Sequence, residues 1–449
     1  MALPSTISEW TNEAALKTIV EETLALAKQQ GATQAEVGVS ESVGMSVTVR
    51  MGEIETIEYH RDKSLEVTVY VGKRKGNGSS TDLSPAAMQQ VVQSALLLAQ
   101  HTEEDPYAGL ADASLMAKTI PSLDLYHPWS LSVEEAIAIA QRSEGSAFTM
   151  DKRIVNSEGA SVNSGQQMFV CGNSEGFLAG YPTAQHSISC CVLAEDAQGM
   201  EREYEYTYGR IQDQLIAAEV IGRGAATKAL ARLGARKIAT QKVPVIFHHE
   251  IAGGLFGHYL SAIAGSRLYR KTSFLENSLG QQILNPMVNL SENPLLLQGL
   301  HSAPFDGDGL ATRAQVLVEA GRVQQYLLSV YSARQLGLQS TANAGGARNV
   351  FVQPTTGGLE ELLKTMGTGL LVTDVMGPGV NLLTGDYSRG ASGFWVENGQ
   401  IQFPVHEITI AGHLKEMFMQ IQAIGNDFET RGNIHTGSVL IESMMVAGS

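Results

Sequence analysis

One stretch of the sequence combines residue types that support metal-dependent hydrolysis. The apolar, β-branched run 243–247 predicts a buried strand, and the small-residue segment 251–265 after it predicts a helix. His248, His249 and Glu250 lie at the junction. In a metal-dependent hydrolase an imidazole holds zinc, and a carboxylate takes a proton from the zinc-bound water. His249 is therefore a candidate metal ligand, and Glu250 is a candidate catalytic base.

The spacing of residues after the junction leaves this metal motif incomplete. A helical zinc motif needs a second histidine at position 253 or 254, and both positions are glycine. His258 follows His249 by nine residues, which places it about half a turn out of phase on a regular helix. The alternative interpretation of His249 and Glu250 is therefore a polar strand end that faces solvent or hydrogen-bonds to a cavity wall.

The composition restricts the class of protein. With 449 residues, 43% of them hydrophobic, the chain is long enough for two or three domains. Only 17% of the residues are charged and 46 are glycine, which favours a β-rich protein with many turns. The net charge of −15 argues against nucleic acid or an anionic membrane as the main partner.

The cysteines and the N-terminus predict a cytoplasmic protein. Cys171, Cys190 and Cys191 are too few for a disulfide framework, and free thiols suit the reducing cytosol. The first residues lack the basic and apolar regions of a signal peptide. No apolar run approaches the ~20 residues that a membrane-spanning helix needs.

The N-terminal half repeats one order of predicted elements. A helix, an antiparallel meander of period two and a second helix occupy 8–30, 35–79 and 84–102, and the same order recurs in 130–235. The irregular, proline-containing stretch between the copies indicates a linker. The chain is therefore divided into an α+β segment at 1–102, a linker at 103–129, a second α+β segment at 130–238 and a C-terminal domain at 239–449.

The C-terminal domain is predicted to be β-rich with a few helices. Residues 283–331 have strand-like patterns, 332–349 look like a long glycine-rich loop, and a helix is expected at 357–367. Asn398-Gly399 predicts a type I′ turn between two strands. The predicted fold class is α+β, with two helix-flanked antiparallel sheets in the N-terminal half and this β-rich domain after them.

Five segments together resemble the TldD/PmbA family of peptidases. They are IFHHEIAGGLFGH, RKTSFL, SAPFDGDG, SVYSARQLGLQSTANAGGARN and GDYSRGASGFWVENGQIQFPVHEITIAGHLKEM. The resemblance covers essentially the whole chain, and the last segment is its most specific part. It is closer to the PmbA (TldE) branch than to the TldD branch.

The resemblance implies an active site that is shared between two chains. TldD-type chains hold zinc with a longer histidine–glutamate motif and a cysteine. They pair with PmbA-type chains into a peptidase that admits unfolded peptides to an enclosed cavity. Here His249 and Glu250 match the first histidine and the glutamate. Gly254 replaces the second histidine, and no cysteine follows Cys191. The resemblance therefore implies that this chain holds no cofactor and that zinc lies in a TldD-type partner.

Two clusters are candidates for the wall of a peptide cavity. Arg267 and Arg270 could bind a substrate carboxylate, and a solvated, salt-bridged face is the alternative. The other cluster is the run Tyr387, Ser388, Arg389 and Gly390. Glycine-flanked backbone near a strand edge can bind an extended peptide by strand addition, and a tight turn is the alternative.

The residues allow three functions. The first is a PmbA/TldE-type subunit of a cytoplasmic metallopeptidase that degrades or matures unfolded peptides, in a heterodimer with a TldD-type chain that supplies zinc. The second is a self-sufficient metal-dependent peptidase that adds a distant ligand to His249 and Glu250. Candidates for that ligand are His301, His406 and His413. The third is a non-enzymatic peptide-binding or assembly protein, alone or as a homodimer. None of the three uses nucleic acid or a membrane.

Overall fold

The order of helix, meander and helix predicted for the N-terminal half is present twice in the computed structural model, which describes residues 12–448. The first copy consists of α1 Glu13–Gln29, β1 Gln34–Arg50, β2 Glu53–Val71, β3 Arg74–Ser80 and α2 Pro85–His101. The second consists of α3 Val133–Phe148, β4 Ile154–Asn173, β5 Leu178–Asp196, β6 Gly199–Gly209 and α4 Ala218–Arg232. The predicted fold class, α+β, is confirmed.

The two meanders share one sheet instead of forming two separate sheets. β1 pairs antiparallel with β4, from Glu36 opposite Asn173 to Val49 opposite Ala160. The resulting strand order is β3-β2-β1-β4-β5-β6. The sequence did not reveal this pairing because the alternation of buried and exposed residues fixes the face of a strand, and not the identity of its neighbour.

Helices cover the buried face of this sheet. Val37 and Val39 on β1 belong to one apolar cluster with Leu16 on α1 and Ala95 on α2. The packing of α2 on β3 is close, since a Cβ at Gly76 would lie 2.0 Å from the carbonyl oxygen of Ala95. Glycine is therefore required at this position for the helix to reach the sheet.

Contacts within the chain define two units. The N-terminal unit contains the described residues up to Leu193, together with Arg202–Lys228 and Pro304–Thr312. The C-terminal unit contains Ala194–Glu201, Ala229–Ala303 and the described residues from Arg313 onward. Within residues 12–448, no helix is both long and apolar enough to cross a bilayer.

The C-terminal unit alternates short strands and helices before a run of longer strands. Its elements are, in chain order, β7 Gln241–Phe247, α5 His249–Ala262, α6 Gly265–Tyr269, β8 Leu290–Glu292, β9 Gln315–Glu319, β10 Arg322–Val323, α7 Val330–Leu336, β11 Val350–Val352, α8 Leu359–Met366, β12 Gly369–Met376, β13 Asp386–Glu397, β14 Gln400–His413, α9 Leu414–Met419, β15 Ile421–Ile424, β16 Ile434–His435 and β17 Val439–Ala447. The predicted loop at 332–349 begins as a helix instead, because Ser329 caps α7 with its side chain.

Five strands of this unit close into a barrel. β7 lies between β12, to which it is parallel, and β17, to which it is antiparallel. β13 and β14 continue from β12, and the pairing of β14 with β17 closes the ring. The turn between β13 and β14 is formed as predicted by Asn398 and Gly399, whose φ angles are 53° and 73°.

The helix α5 is anchored in the core beside the barrel strands. Phe256 and Tyr259 on α5 and Phe418 on α9 are fully buried. The rings of Tyr259 and Phe418 meet edge to face with centroids 6.0 Å apart. This packing fixes the axis of α5, and so it fixes the direction in which its first turn presents His249 and Glu250.

Candidate metal and peptide site

The predicted strand-to-helix junction is present, and its position is set by two neighbouring strands. Phe247 ends β7 opposite Val372 of β12 and opposite Val439 of β17. The residue before Val439 is therefore brought to the start of α5, where the backbone N–H of His249 donates to the hydroxyl of Ser438 at 2.9 Å. This contact satisfies one of the backbone donors that every helix leaves unpaired at its start.

Asp427 ties the His249 imidazole to the same strand. One carboxylate oxygen of Asp427 lies 3.2 Å from His249 Nδ1 and accepts from the Ser438 hydroxyl at 2.6 Å. The other accepts from the Ser438 backbone N–H at 3.1 Å. Burial alone would raise the pKa of Asp427, but these hydrogen bonds outweigh burial and lower the pKa to about 2. Asp427 therefore orients the ring of His249 and stays ionised at neutral pH.

The lowered pKa predicts that Asp427 stabilises the fold above pH 4 and stops doing so in acid. Its pKa falls from 3.8 to about 2, which corresponds to about 2 kcal/mol of unfolding free energy. Because the folded state holds the lower pKa, this stability is complete above the unfolded value and is lost as the pH falls toward 2. We expect Asp427→Asn to be less stable than the wild type by about 2 kcal/mol at pH 6, with the gap closing by pH 2.

Urea unfolding at several pH values measures this gap. Asp213→Asn, at an exposed aspartate, is the matched control and should leave unfolding unchanged at every pH. A gap between the wild type and Asp427→Asn that stays the same from pH 6 to pH 2 would show that the charge of Asp427 is not what stabilises the junction.

Glu250 is held by an arginine that also binds a second carboxylate. Arg431 Nη2 lies 3.1 Å from Glu250 Oε1, and Arg431 Nε lies 2.9 Å from both carboxylate oxygens of Glu429. All three side chains are mostly buried, with 23%, 17% and 13% of Glu250, Arg431 and Glu429 exposed. Burial alone would raise the pKa of Glu429, but the hydrogen bonds from Arg431 outweigh it and lower the pKa.

The structure brings three metal-ligating side chains together. Donor atoms of His249, Glu250 and Glu429 all lie within 4.8 Å of one another. One imidazole and two carboxylates at such distances are a donor set that divalent cations use. The Arg431 guanidinium is bound to both of these carboxylates. The cluster of His249, Glu250, Glu429 and Arg431 is called the junction cluster below.

Tyr387 is buried within the C-terminal unit. Its ring lies edge-on to Phe247, with centroids 6.4 Å apart, and to His258, with centroids 6.0 Å apart. Burial raises the pKa of Tyr387 to about 12. Burial also lowers the pKa of His258, so this histidine is neutral in a packed environment. His258 is therefore part of the packing beneath the junction.

The residues after Tyr387 differ in their surroundings. Ser388 is exposed on β13, whereas Arg389 is half-buried and donates to the backbone oxygen of Val375 at 3.1 Å. A Cβ at Gly390 would lie 2.8 Å from the side chain of Met376, which leaves room for backbone only. Of this run, Ser388 is the side chain that is most accessible to a ligand.

Arg267 and Arg270 are both exposed at α6. The backbone oxygen of Arg267 accepts from the backbone N–H of Thr272, and the Arg270 guanidinium lies 5.4 Å from the ring centroid of Tyr269. The charged ends of both side chains are available to solvent. Their described contacts are with residues of α6 and the turn after it, and not with the junction cluster.

The described contacts of His301, His406 and His413, the three candidates for a distant metal ligand, are with residues outside the junction cluster. His406 Nδ1 is 3.4 Å from Glu201, and His413 Nε2 is 2.9 Å from the backbone oxygen of Thr384. His301 is placed by its backbone N–H, which donates to Asn349. The residues that complete the donor set around His249 are instead carboxylates.

Sequence reasoning missed Asp427, Glu429, Arg431 and Ser438. The one local signal is the spacing of charged residues at 427, 429 and 431, which would place their side chains on one face of an extended segment. That signal does not connect the segment to His249. The connection comes from the pairing of β7 with β17, which joins parts of the chain that are distant in sequence.

A cavity of about 480 Å³ opens along α5 in the same unit. It is lined by Gly257 and Leu260 of α5, by residues 343–347 of the glycine-rich loop, and by Asn433 and Ile434 at β16. Ile434 follows Arg431 by three residues, so one short segment contributes both to the junction cluster and to the cavity wall. A cavity of this size can hold a short length of peptide.

Comparison with known sequences gives matches along most of the chain. Profiles of the PmbA/TldA metallopeptidase domain 1, central domain and C-terminal domain match residues 35–99, 126–233 and 240–448. Metalloprotease PmbA of Escherichia coli O157:H7 is 51% identical over 436 residues, covering 97% of this chain and 96% of that protein. A metalloprotease TldD homologue of Haemophilus influenzae is 22% identical over 404 residues, covering 84% of this chain and 82% of that protein. The similarity is therefore greater to the PmbA branch.

The fold of this chain also matches that of solved structures over nearly its whole length. A crystal structure from Bacteroides thetaiotaomicron, of a protein described provisionally as a modulator of DNA gyrase, matches with a TM-score of 0.92. The two chains are 25% identical, and the match covers 98% of this chain and 100% of the other. The fold is thus shared across a wide sequence distance.

Proposed function

Because this chain belongs to the PmbA/TldD family of metallopeptidases, we propose that it is the PmbA/TldE-type subunit of a cytoplasmic peptidase that degrades or matures unfolded peptides. A TldD-type chain holds the zinc, and the two chains form a heterodimer. The present chain shapes and closes the peptide cavity. The observation that carries this proposal is Arg431, which is bound between Glu250 and Glu429.

The donor set does not fit a catalytic zinc while Arg431 is in place. Such a zinc needs three protein ligands and a water molecule. His249, Glu250 and Glu429 supply three donors, but the Arg431 guanidinium is already hydrogen-bonded to both carboxylates. A cation that bound these carboxylates would meet a fixed positive charge and would have to displace it. We therefore assign no catalytic step to a zinc ion held by this chain.

The second histidine and the cysteine of a complete zinc site are also lacking. A Cβ at Gly254 would have no heavy atom within 4 Å, so the position has room for a side chain that the chain does not provide. Cys171, Cys190 and Cys191 all lie in the N-terminal unit, and burial raises the pKa of each thiol to about 12. Thiols in that state are poor metal ligands.

The cavity along α5 supports a role in holding peptide. Small residues and backbone form much of its wall, among them Gly345 and Gly346 in the left-handed region. Backbone groups bind a peptide through hydrogen bonds to its main chain, and these bonds do not depend on the side chains of the peptide. Ser388, Arg267 and Arg270 are accessible side chains of the same unit that could extend such a surface.

One observation favours a second candidate, a self-sufficient metal-dependent peptidase. His249, Glu250 and Glu429 converge without any contribution from a partner chain. In that case Arg431 would leave the carboxylates when the metal binds, and Glu250 would serve as a ligand or as the base.

Metal content and peptide cleavage, measured on the same samples, test the proposal. We expect the purified chain to carry well below one zinc per molecule and to leave an unstructured, fluorescence-quenched peptide intact. Cleavage should appear when a TldD-type chain is added. Stoichiometric zinc in the isolated chain, with cleavage that is lost in Glu250→Gln, would establish the self-sufficient peptidase instead. A mixture that carries zinc but cleaves nothing would favour a non-enzymatic binding protein.

A further inference from the structure

A buried carboxylate is bound to the glycine-rich wall of the cavity along α5. Glu292 is the last residue of β8, and only 1% of it is exposed. It lies opposite Gln315 of β9 on one side and opposite Val350 of β11 on the other. Residues 343–347, which line the cavity, come shortly before β11 in the chain. The sheet therefore places this carboxylate close to the point where the loop enters its strand.

Every described hydrogen bond of the Glu292 side chain comes from an amide N–H. The backbone N–H of Arg348 donates to Oε1 at 2.6 Å. The side-chain amide of Asn343 donates to Oε1 and Oε2 at 3.1 and 3.0 Å, and that of Gln315 donates to Oε2. A carboxylate accepts hydrogen bonds and does not donate them, so it suits a place where only donors converge.

A second set of contacts occupies carbonyl groups of the same loop. The Arg348 guanidinium donates to the backbone oxygens of Ala344 and Gly346 at 3.1 and 3.3 Å. Within the described chain, the backbone N–H groups of Gly345 and Ala347 have no hydrogen-bond acceptor. Both of these residues line the cavity. The loop therefore has two carbonyls bound by its own chain and keeps two N–H donors for a ligand.

The backbone of this loop is permissive and needs to be held from outside. Gly345 and Gly346 are adjacent, and their φ angles are 96° and 95°. Glycine has more backbone freedom than other residues, so ordering such a pair costs more entropy. A loop that is ordered before the peptide arrives does not add that cost to binding. Glu292 binds the loop at Asn343 and at Arg348, on either side of the two glycines.

Resting on the function proposed above, we propose that Glu292 is a positioning residue of the peptide cavity. By holding both ends of the loop, it presents the N–H groups of Gly345 and Ala347 to an oxygen atom of the bound peptide. Glu292 is not among the residues that line the cavity, so it acts through the loop and not by contact with the peptide. Loss of this hold weakens peptide binding and leaves the zinc-dependent step in the partner chain unchanged.

Steady-state cleavage by this chain mixed with a TldD-type chain tests the positioning role, with an unstructured, fluorescence-quenched peptide as substrate. Glu292→Gln keeps the size of the side chain but turns one acceptor into a donor, which then faces the amide donors of Asn343 and Gln315. We expect KM to rise about tenfold, as one unsatisfied buried donor predicts, and kcat to stay within about twofold. Glu319→Gln removes an exposed carboxylate of β9 and is the matched control, with both constants unchanged.

Hydrogen exchange on the isolated chain measures the loop without a partner. In Glu292→Gln the backbone N–H of Arg348 should exchange about tenfold faster or more, whereas the amides of β7 and β12 should exchange as in the wild type. Circular dichroism checks that each variant is folded. Gln315→Leu removes one of the amide donors and is a milder change. It should raise KM about threefold, and it keeps the role testable if Glu292→Gln does not fold.

The results separate the role of Glu292 from the function on which it rests. A wild-type mixture that cleaves nothing contradicts the proposed function and, with it, any role of Glu292 in peptide binding. If the wild-type mixture cleaves but neither variant raises KM, or if only kcat falls, the positioning role alone is overturned. Faster exchange spread evenly over the C-terminal unit also overturns it, because Glu292 would then stabilise the fold and not the loop in particular.

Discussion

Replacing Arg431 by alanine is expected to destabilise the protein by about 3 kcal/mol in metal-free buffer and to make its stability respond to zinc. Arg431 neutralises Glu250 and Glu429, both of which are mostly buried. Without the guanidinium these carboxylates lie close together with no compensating charge, which is costly in a partly dry site. The same change exposes a donor set of one imidazole and two carboxylates to solution cations.

Urea unfolding with and without zinc measures both parts of this result. The free energy of unfolding of the wild type should not change when zinc is added. For Arg431→Ala, zinc at about a hundredfold excess over its dissociation constant should raise the free energy of unfolding by about 2.7 kcal/mol. Arg431→Ala combined with His249→Ala should lose that response. Arg202→Ala removes an exposed pair with Glu158 and should change stability by less than about 1 kcal/mol. If zinc stabilised the wild type as much as the variant, Arg431 would not be what keeps the metal out.

A second large effect is expected in the N-terminal unit, where Arg61→Ala should lower the free energy of unfolding by about 3 kcal/mol or more. Glu41 lies on β1 with none of its side chain exposed, and Arg61 on β2 reaches it with Nε at 2.7 Å and Nη2 at 2.6 Å. The other carboxylate oxygen of Glu41 has no hydrogen-bond partner in the described structure. Loss of Arg61 therefore leaves a buried negative charge with little else to offset it.

The matched comparison removes both charges at once. Glu41→Met with Arg61→Met should lie close to the wild type in urea unfolding, because two apolar side chains need no ionic partner. Arg153→Ala breaks an exposed pair with Asp151 and should cost less than about 1 kcal/mol. An Arg61→Ala variant within about 1 kcal/mol of the wild type would mean that water reaches Glu41 and replaces the guanidinium.

The parts of the fold that the sequence predicts are those determined by nearby residues. Ser132 and Glu135 form the capping box that starts α3, and both are within one turn of the helix. Asn398 and Gly399 define a turn by their own backbone preferences. The pairing of β1 with β4 has no such local origin, so two sheets were expected where the chain forms one.

In the candidate site, too, the part that the sequence predicts is formed by nearby residues, and the rest is formed by residues distant in sequence. His249 and Glu250 are adjacent in sequence, and their residue types alone indicate metal chemistry. Asp427 is 178 residues away from His249, and Arg431 is 181 residues away from Glu250. No periodicity joins residues at that separation. The residues of the junction alone therefore indicate a motif with missing ligands, whereas Arg431, which binds Glu250 and Glu429, comes from a distant part of the chain.

The position of β7 in the barrel affects how this protein is made on the ribosome. β7 is flanked by β12 and β17, which are synthesised long after it, and β17 is the last strand of the described chain. Contacts this distant in sequence form slowly, because a long loop must close first. During translation the nascent strand therefore waits with both edges unpaired. The polar network around His249 forms only after Ser438 has left the exit tunnel, so polypeptides that are released early cannot contain it.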